Sequence, residues 1–152
     1  MSFKKPFLLS ILLIFSLNIL SQASNVLVTN ISEYNSAIKE AKPGSVIILK
    51  NGIWKDVKIN AYGKGEKGNP IQVKAETPGK VIISGNSTLN IYGEYVIVSG
   101  LWFKDGNTEY KSVVQFRKDS KTFANNCRLS NSTISYFETK NQHSKDDKYL
   151  AV

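Results

Sequence analysis

Val46-Ile47-Ile48-Leu49-Lys50-Asn51-Gly52, Ile71-Gln72-Val73 and Tyr95-Val96-Ile97-Val98-Ser99-Gly100 are the segments whose reading decides the fold. Each is a short β-branched run bordered by turn residues, too brief for a helix. Ile47, Ile71 and Val96 lie 24 and 25 residues apart. A repeat of that length, made of several short strands, predicts one coil of a β-solenoid. Such a coil cannot bury its inward side chains alone, so it stacks on its neighbour through parallel strands.

The same character extends outward in both directions. Further β-rich runs are Val57-Lys58-Ile59, Val81-Ile82-Ile83, Leu89-Asn90-Ile91, Leu101-Trp102-Phe103, Val113-Val114-Gln115-Phe116, Arg128-Leu129 and Thr133-Ile134-Ser135. Turn signals stand between them at Asn51-Gly52, Gly63-Lys64-Gly65, Pro78-Gly79, Ser84-Gly85-Asn86, Tyr92-Gly93, Ser99-Gly100 and Asp105-Gly106-Asn107. Ahead of the first run, Ile31, Tyr34, Ala37, Ile38 and Ala41 fall on one face of a short helix, with Ser32 as its expected N-cap and Pro43-Gly44 as its stop. No second helical stretch follows, which argues against βαβ crossovers. An antiparallel β-sandwich would accommodate the short strands. It gives the opening helix no role, whereas a solenoid needs a cover over the apolar side chains and unpaired edges of its first coil.

The first residues read differently. Lys4 and Lys5 precede the apolar run Phe7 to Leu20, and Ser21-Gln22-Ala23 supplies small residues at a cleavage site. This pattern predicts a secretory signal peptide over residues 1–23, cut after Ala23, with secreted or periplasmic localisation and residues 24–152 as the mature part. The run is short for a membrane span and no positive stop-transfer cluster follows it.

Composition narrows the chemistry. With 41% hydrophobic and 21% charged residues, the 152-residue chain has globular composition and the length of one domain. Cys127 is the only cysteine, which excludes an internal disulfide and a CxxC metal knuckle. His143 is the only histidine, which excludes a His-rich zinc site. The formal charge is +8; without Lys4 and Lys5 it is +6. For a secreted protein that excess points to an anionic polysaccharide or cell surface rather than to nucleic acid.

At this point a family resemblance enters. Ala41-Lys42-Pro43-Gly44-Ser45-Val46-Ile47, Lys50-Asn51-Gly52-Ile53-Trp54-Lys55-Asp56-Val57, Asn69-Pro70-Ile71 through Pro78-Gly79-Lys80-Val81, and Gly100-Leu101-Trp102-Phe103-Lys104-Asp105-Gly106 resemble the N-terminal coils of the chondroitinase B and alginate lyase family. Val114-Gln115-Phe116-Arg117-Lys118 and Ala124-Asn125-Asn126-Cys127-Arg128-Leu129 are more similar to its alginate lyase branch. The resemblance spans about residues 25 to 152 and rests mostly on structural motifs.

The resemblance implies an all-β, right-handed parallel β-helix with an N-terminal capping helix. It also implies a polysaccharide lyase that cleaves alginate or a related uronate polymer by β-elimination. In such a lyase a cation, usually calcium held by Asn and acidic side chains, neutralises the carboxylate beside the C5 proton. A Lys takes that proton and an Arg assists the leaving oxygen. These groups come from middle coils, and the run Lys148-Tyr149-Leu150-Ala151-Val152 reads as the start of another strand. The expectation is therefore an incomplete solenoid, inactive alone, onto which no catalytic residue and no metal ligand is carried over. The alternatives are a non-catalytic solenoid module that binds an anionic polysaccharide, and a truncated product without function.

Within the chain, Arg117, Lys118 and Arg128 are candidates for an anionic sugar groove, set against structural hydrogen bonds from the two arginines to turns. Trp54, Trp102 and Phe103 are weighed as sugar platforms or core, with Trp102-Phe103 read as core and Trp54 left open. Cys127 reads as a buried thiol rather than a nucleophile. His143 and Asp146-Asp147 belong to a polar run read as a solvated loop or groove wall, in which two carboxylates among lysines are poor cation ligands. Asn30, Asn86 and Asn131 open N-x-Ser/Thr triplets, and Gly63 to Gly68 lacks the spacing of a phosphate loop.

Overall fold

The computed structural model describes residues 25–109 and 112–139. The signal-peptide residues, His143, Asp146, Asp147 and the run to Val152 lie outside the described residues.

Strand β1 (Asn25–Val28) leads into helix α1 (Ile31–Lys39). The first coil is β2 (Val46–Leu49), β3 (Gly52–Lys55) and β4 (Lys58–Lys64). The second is β5 (Ile71–Ala75), β6 (Val81–Asn86) and β7 (Thr88–Glu94). The third is β8 (Val96–Ser99), β9 (Leu101–Thr108), then the pair β10 (Val114–Gln115) and β11 (Ala124–Asn125). Strands β12 (Arg128–Ser130) and β13 (Thr133–Thr139) open the next turn.

The strands stack into three sheets. Sheet A runs β1-β2-β5-β8-β12, sheet B runs β3-β6-β9-β13, and sheet C joins β4 to β7 and β7 to both β10 and β11. Every pairing between these strands is parallel. That is a parallel β-solenoid of about three turns, as the short runs predict, and not an antiparallel sandwich. Among the described residues, antiparallel pairing is confined to the isolated bridges Glu66–Asn69 and Arg117–Phe123.

Alternation along each strand places one aliphatic column per sheet position inside. Val26, Ile47, Val73, Val98 and Leu129 share one register in sheet A. Ile59, Leu89 and Val114 share one in sheet C, and Trp54, Ile83, Phe103 and Ile134 one in sheet B. The repeat differs in phase from its sequence reading: Ile71 stacks on Val96, but Ile47 stacks on Val73. Both Ile47 and Ile71 still point inward, because a slip of two residues preserves the face. Each fully buried aliphatic side chain contributes about 1.5–3 kcal/mol.

Corners need sharp bends. One left-handed residue per coil supplies the bend between sheets B and C, at Asp56, Gly85, Asp105 and Tyr136. Polar side chains tie corners across coils. Asn51 donates to Thr77 Oγ1 at 3.0 Å and accepts from the Thr77 backbone N–H at 3.0 Å. Asp56 accepts from the Asn86 N–H at 2.8 Å. Two turn readings prove to lie inside strands: Gly63 in β4 and Gly93 in β7. They are in register, and a Cβ on Gly93 would collide with the Gly63 carbonyl. Glycine is required there by the close approach of two backbones.

Helix α1 closes the first coil. Its N-cap is Asn30 rather than Ser32: Asn30 Oδ1 accepts from the Glu33 N–H at 3.0 Å. Glu33 in turn accepts from the Thr29 N–H at 2.7 Å and from Asn30 Nδ2 at 2.9 Å. These donors hold the Glu33 carboxyl below its ordinary pKa. Tyr34 and Ile38 are buried against the solenoid, and the Tyr34 hydroxyl donates to the Asn60 carbonyl at 2.8 Å. Among the described residues no helix is long and apolar enough to cross a membrane.

Candidate functional site

The outer face of sheet C is the most chemically varied surface of the molecule. Outward positions on β4 and β7 pair like with like. Asn60 faces Asn90, and Tyr62 faces Tyr92. Asn90 Nδ2 donates to Asn60 Oδ1 at 3.0 Å, and Gln115 continues this row on β10. The two tyrosine rings stack with centroids 5.2 Å apart and planes inclined by 3°.

Coil three breaks this face. β10 ends opposite Asn90, and β11 resumes opposite Gly93. Residues 116–123 occupy the gap and fold outward as a small hairpin, closed by the Lys118 N–H donating to the Thr122 carbonyl at 2.9 Å. Asp119 shapes its tip by accepting from the N–H groups of Lys121 at 2.9 Å and Thr122 at 2.8 Å. These bonds, with the nearby Lys118 ammonium, lower the Asp119 pKa.

Helix, sheet and hairpin enclose an open groove of about 580 Å³ lined by Asn35, Ile38, Asn60, Tyr62, Tyr92, Lys118 and Thr122. It crosses three strand spacings from α1 to the hairpin, roughly 15 Å at about 4.8 Å each. Burial, then Tyr62 and Asp119, push the Tyr92 hydroxyl above its ordinary pKa, so it remains a neutral donor at physiological pH. The lining thus offers amides, hydroxyls, ring edges and one ammonium. It can bind a polar ligand, and the described residues lining it hold no acid–base pair.

The candidates singled out in the sequence are scattered. Lys118 is at this groove, and Arg117 is on the same hairpin. Arg128 lies on sheet A beside Ile97, away from both. Both arginines are exposed, and neither guanidinium has a hydrogen bond or ion pair among the described residues, so their expected structural bonds to turns are corrected. The tryptophans also depart from expectation. Trp54 is core, 6% exposed, with its ring N–H donating to the Lys50 carbonyl at 3.0 Å. Phe103 is core as expected, but Trp102 points outward. Its N–H donates to Ser135 Oγ at 2.9 Å, and Lys104 Nζ lies 4.8 Å from its ring centroid. That ring face is already covered, which removes it as a bare sugar platform.

Cys127 is half-buried, with Sγ 3.4 Å from the Asn125 carbonyl oxygen, and burial raises its pKa. Asn30 caps the helix, and Asn131 takes a left-handed corner conformation. Among the described residues no three His, Cys, Asp or Glu side chains converge. The donor set therefore does not fit a calcium ion.

Sequence reasoning missed the tyrosine and amide ladder. Its signal was present: Asn60-Ala61-Tyr62-Gly63 and Asn90-Ile91-Tyr92-Gly93 repeat the pattern Asn-x-Tyr-Gly.

Comparison with known proteins places this geometry among lyases. Residues 28–151 match the family described as Chondroitinase B. The PL6 family alginate lyase AlyGC is 41% identical with a TM-score of 0.72, over 73% of this chain and 15% of that one. The PL6 family polysaccharide lyase Pedsa3628 from Pseudopedobacter saltans is 40% identical with a TM-score of 0.64, over 73% of this chain and 24% of that one. A mannuronic acid specific polysaccharide family 6 lyase from human gut microbiota is 29% identical with a TM-score of 0.66, over 74% of this chain and 26% of that one. The chain therefore spans about a quarter or less of the length of these solved lyases. No curated protein matches it.

Proposed function

The chain belongs to the chondroitinase B family, and from that premise we propose that it forms the N-terminal coils of a secreted polysaccharide lyase that cleaves alginate, or a related uronate polymer, by β-elimination. The observation that carries the reading is the family match across residues 28–151, together with 41% identity to an alginate lyase of the same solenoid architecture. The signal-peptide pattern over residues 1–23 supports export to the periplasm or the medium.

Removing the proton beside a uronate carboxylate requires that the developing charge be stabilised. A calcium ion would supply that stabilisation in a complete lyase of this kind, but the described residues present no ligand set for it. No catalytic step is assigned to this chain. Its own part is mechanical: α1 covers the first coil, three sheets fix the strand register, and any further coil inherits that register.

The test is to express the longest reading frame containing residues 1–152 and follow unsaturated uronate ends on alginate and on a chondroitin-type polymer. Product on alginate alone supports the reading, and product on the other polymer moves the substrate. No product on either polymer, with salt-sensitive binding retained, replaces the lyase with a binding module.

A further inference from the structure

We propose that the groove on sheet C is a binding site for an acidic oligosaccharide. The site lies wholly on this chain and is separate from any catalytic set. The choice of a uronate as the acidic sugar rests on the lyase reading; the existence of the site does not.

Four observations converge on one ligand chemistry. First, the groove is long rather than deep, about 15 Å from α1 to the hairpin, which suits several linked sugar rings better than a single metabolite. Second, its floor is an unfinished amide ladder. Asn90 donates to Asn60, which leaves Asn60 Nδ2 as a donor and Asn90 Oδ1 as an acceptor without partners among the described residues. Adjacent sugar hydroxyls require such paired groups. Third, Tyr62 and Tyr92 present neutral hydroxyls and ring edges beside the amides, a surface that is apolar in its body and polar at its tip.

Fourth, the wall is cationic. The Lys118 ammonium lines the groove and makes no ion pair within 4 Å among the described residues. Arg117 and Lys121 stand on the same hairpin. The one carboxylate there, Asp119, is occupied by two backbone N–H groups of the turn. A carboxylate on the ligand fits this wall, and a neutral glycan leaves the ammonium without a partner. The hairpin also has no role in the ladder it interrupts, since β10 and β11 pair with β7 on either side of it.

The experiment titrates alginate oligosaccharides into the full chain carrying labelled tyrosine and follows the Tyr62 and Tyr92 signals. Neutral cello-oligosaccharides of equal length and poly-glutamate serve as controls. Saturable shifts of both tyrosines with the uronate are expected, weakening as salt rises. Lys118→Gln, an exposed substitution, is expected to weaken binding about tenfold. Arg128→Gln removes the same charge on sheet A and is expected to change it less than about twofold.

Unmoved tyrosine signals would overturn the site. Equal losses from Lys118→Gln and Arg128→Gln, or equal shifts with poly-glutamate, would reduce it to diffuse charge attraction. Equal binding of the cello-oligosaccharides would overturn the ligand class. The lyase reading fails separately, on absence of unsaturated product, and neither failure implies the other.

Discussion

Ile83, Phe103 and Ile134 occupy one column of sheet B, yet the first two are 0% exposed and the third is 48% exposed. The residue types are alike and all three point inward. The difference is the neighbour: Ile83 and Phe103 each have a described coil on both sides, and Ile134 has one on a single side. At the opposite end the same problem is solved by α1, which buries Val28, Tyr34 and Ile38. In a solenoid, burial is a property of the interface between coils and not of the residue or its strand.

Substitutions along that column test the comparison most strongly. Phe103→Ala should destabilise the chain by about 3–5 kcal/mol, because it opens a cavity beside Phe137, whose ring meets Phe103 edge-on at 5.9 Å. Ile134→Ala should cost about 1 kcal/mol or less, since much of its side chain is already in water. Urea melts of both variants decide the point; equal losses would refute the neighbour argument.

A second contrast concerns glycines with similar dihedrals. Gly93 has φ 91° and Gly79 has φ 75°. A Cβ on Gly93 meets the Gly63 backbone, whereas Gly79 has open space. Gly93→Ala should cost more than about 2 kcal/mol through collision plus strain, and Gly79→Ala about 1 kcal/mol through strain alone. Thermal melts that rank them in reverse would show that the β4–β7 backbones can separate.

Corner ties carry less. Asn51→Ala removes two hydrogen bonds to Thr77 at an exposed corner and should cost about 1 kcal/mol. Replacing Thr77 as well should add little, which a double-mutant cycle would show.

The smallest effect is at the capped end. The Glu33 carboxyl is held below its model value of 4.5, so its contribution is complete above that value and is lost as pH falls through the lowered folded pKa. Glu33→Gln should therefore be less stable than the parent at neutral pH, and the gap should close below about pH 4.5. A gap that persists in acid would assign the effect to packing.

The fold was legible where the physics is local. Short β-branched runs, turn residues between them and one amphipathic helix specify a capped solenoid. Register was not legible, because Ile47 and Ile71 satisfy the same inward alternation in either phase. Gly63 and Gly93 read as turns, since their role depends on a backbone one coil away. Trp54 and Trp102 differ only in strand parity, which β3 and β9 set after the corners are fixed. The groove was least visible. Asn60, Tyr62, Asn90, Tyr92 and Lys118 come from three coils and meet only through stacking.

The helix lid has a consequence for assembly. A stack with one face blocked by α1 behaves like a crystal seed with a single growing facet: new layers attach on the β12–β13 side alone. Synthesis proceeds from the same end, so each emerging coil meets a finished template rather than a competing partner. The history of that growth should remain written in the protein as amide-exchange protection that is greatest in β5 and declines toward β13.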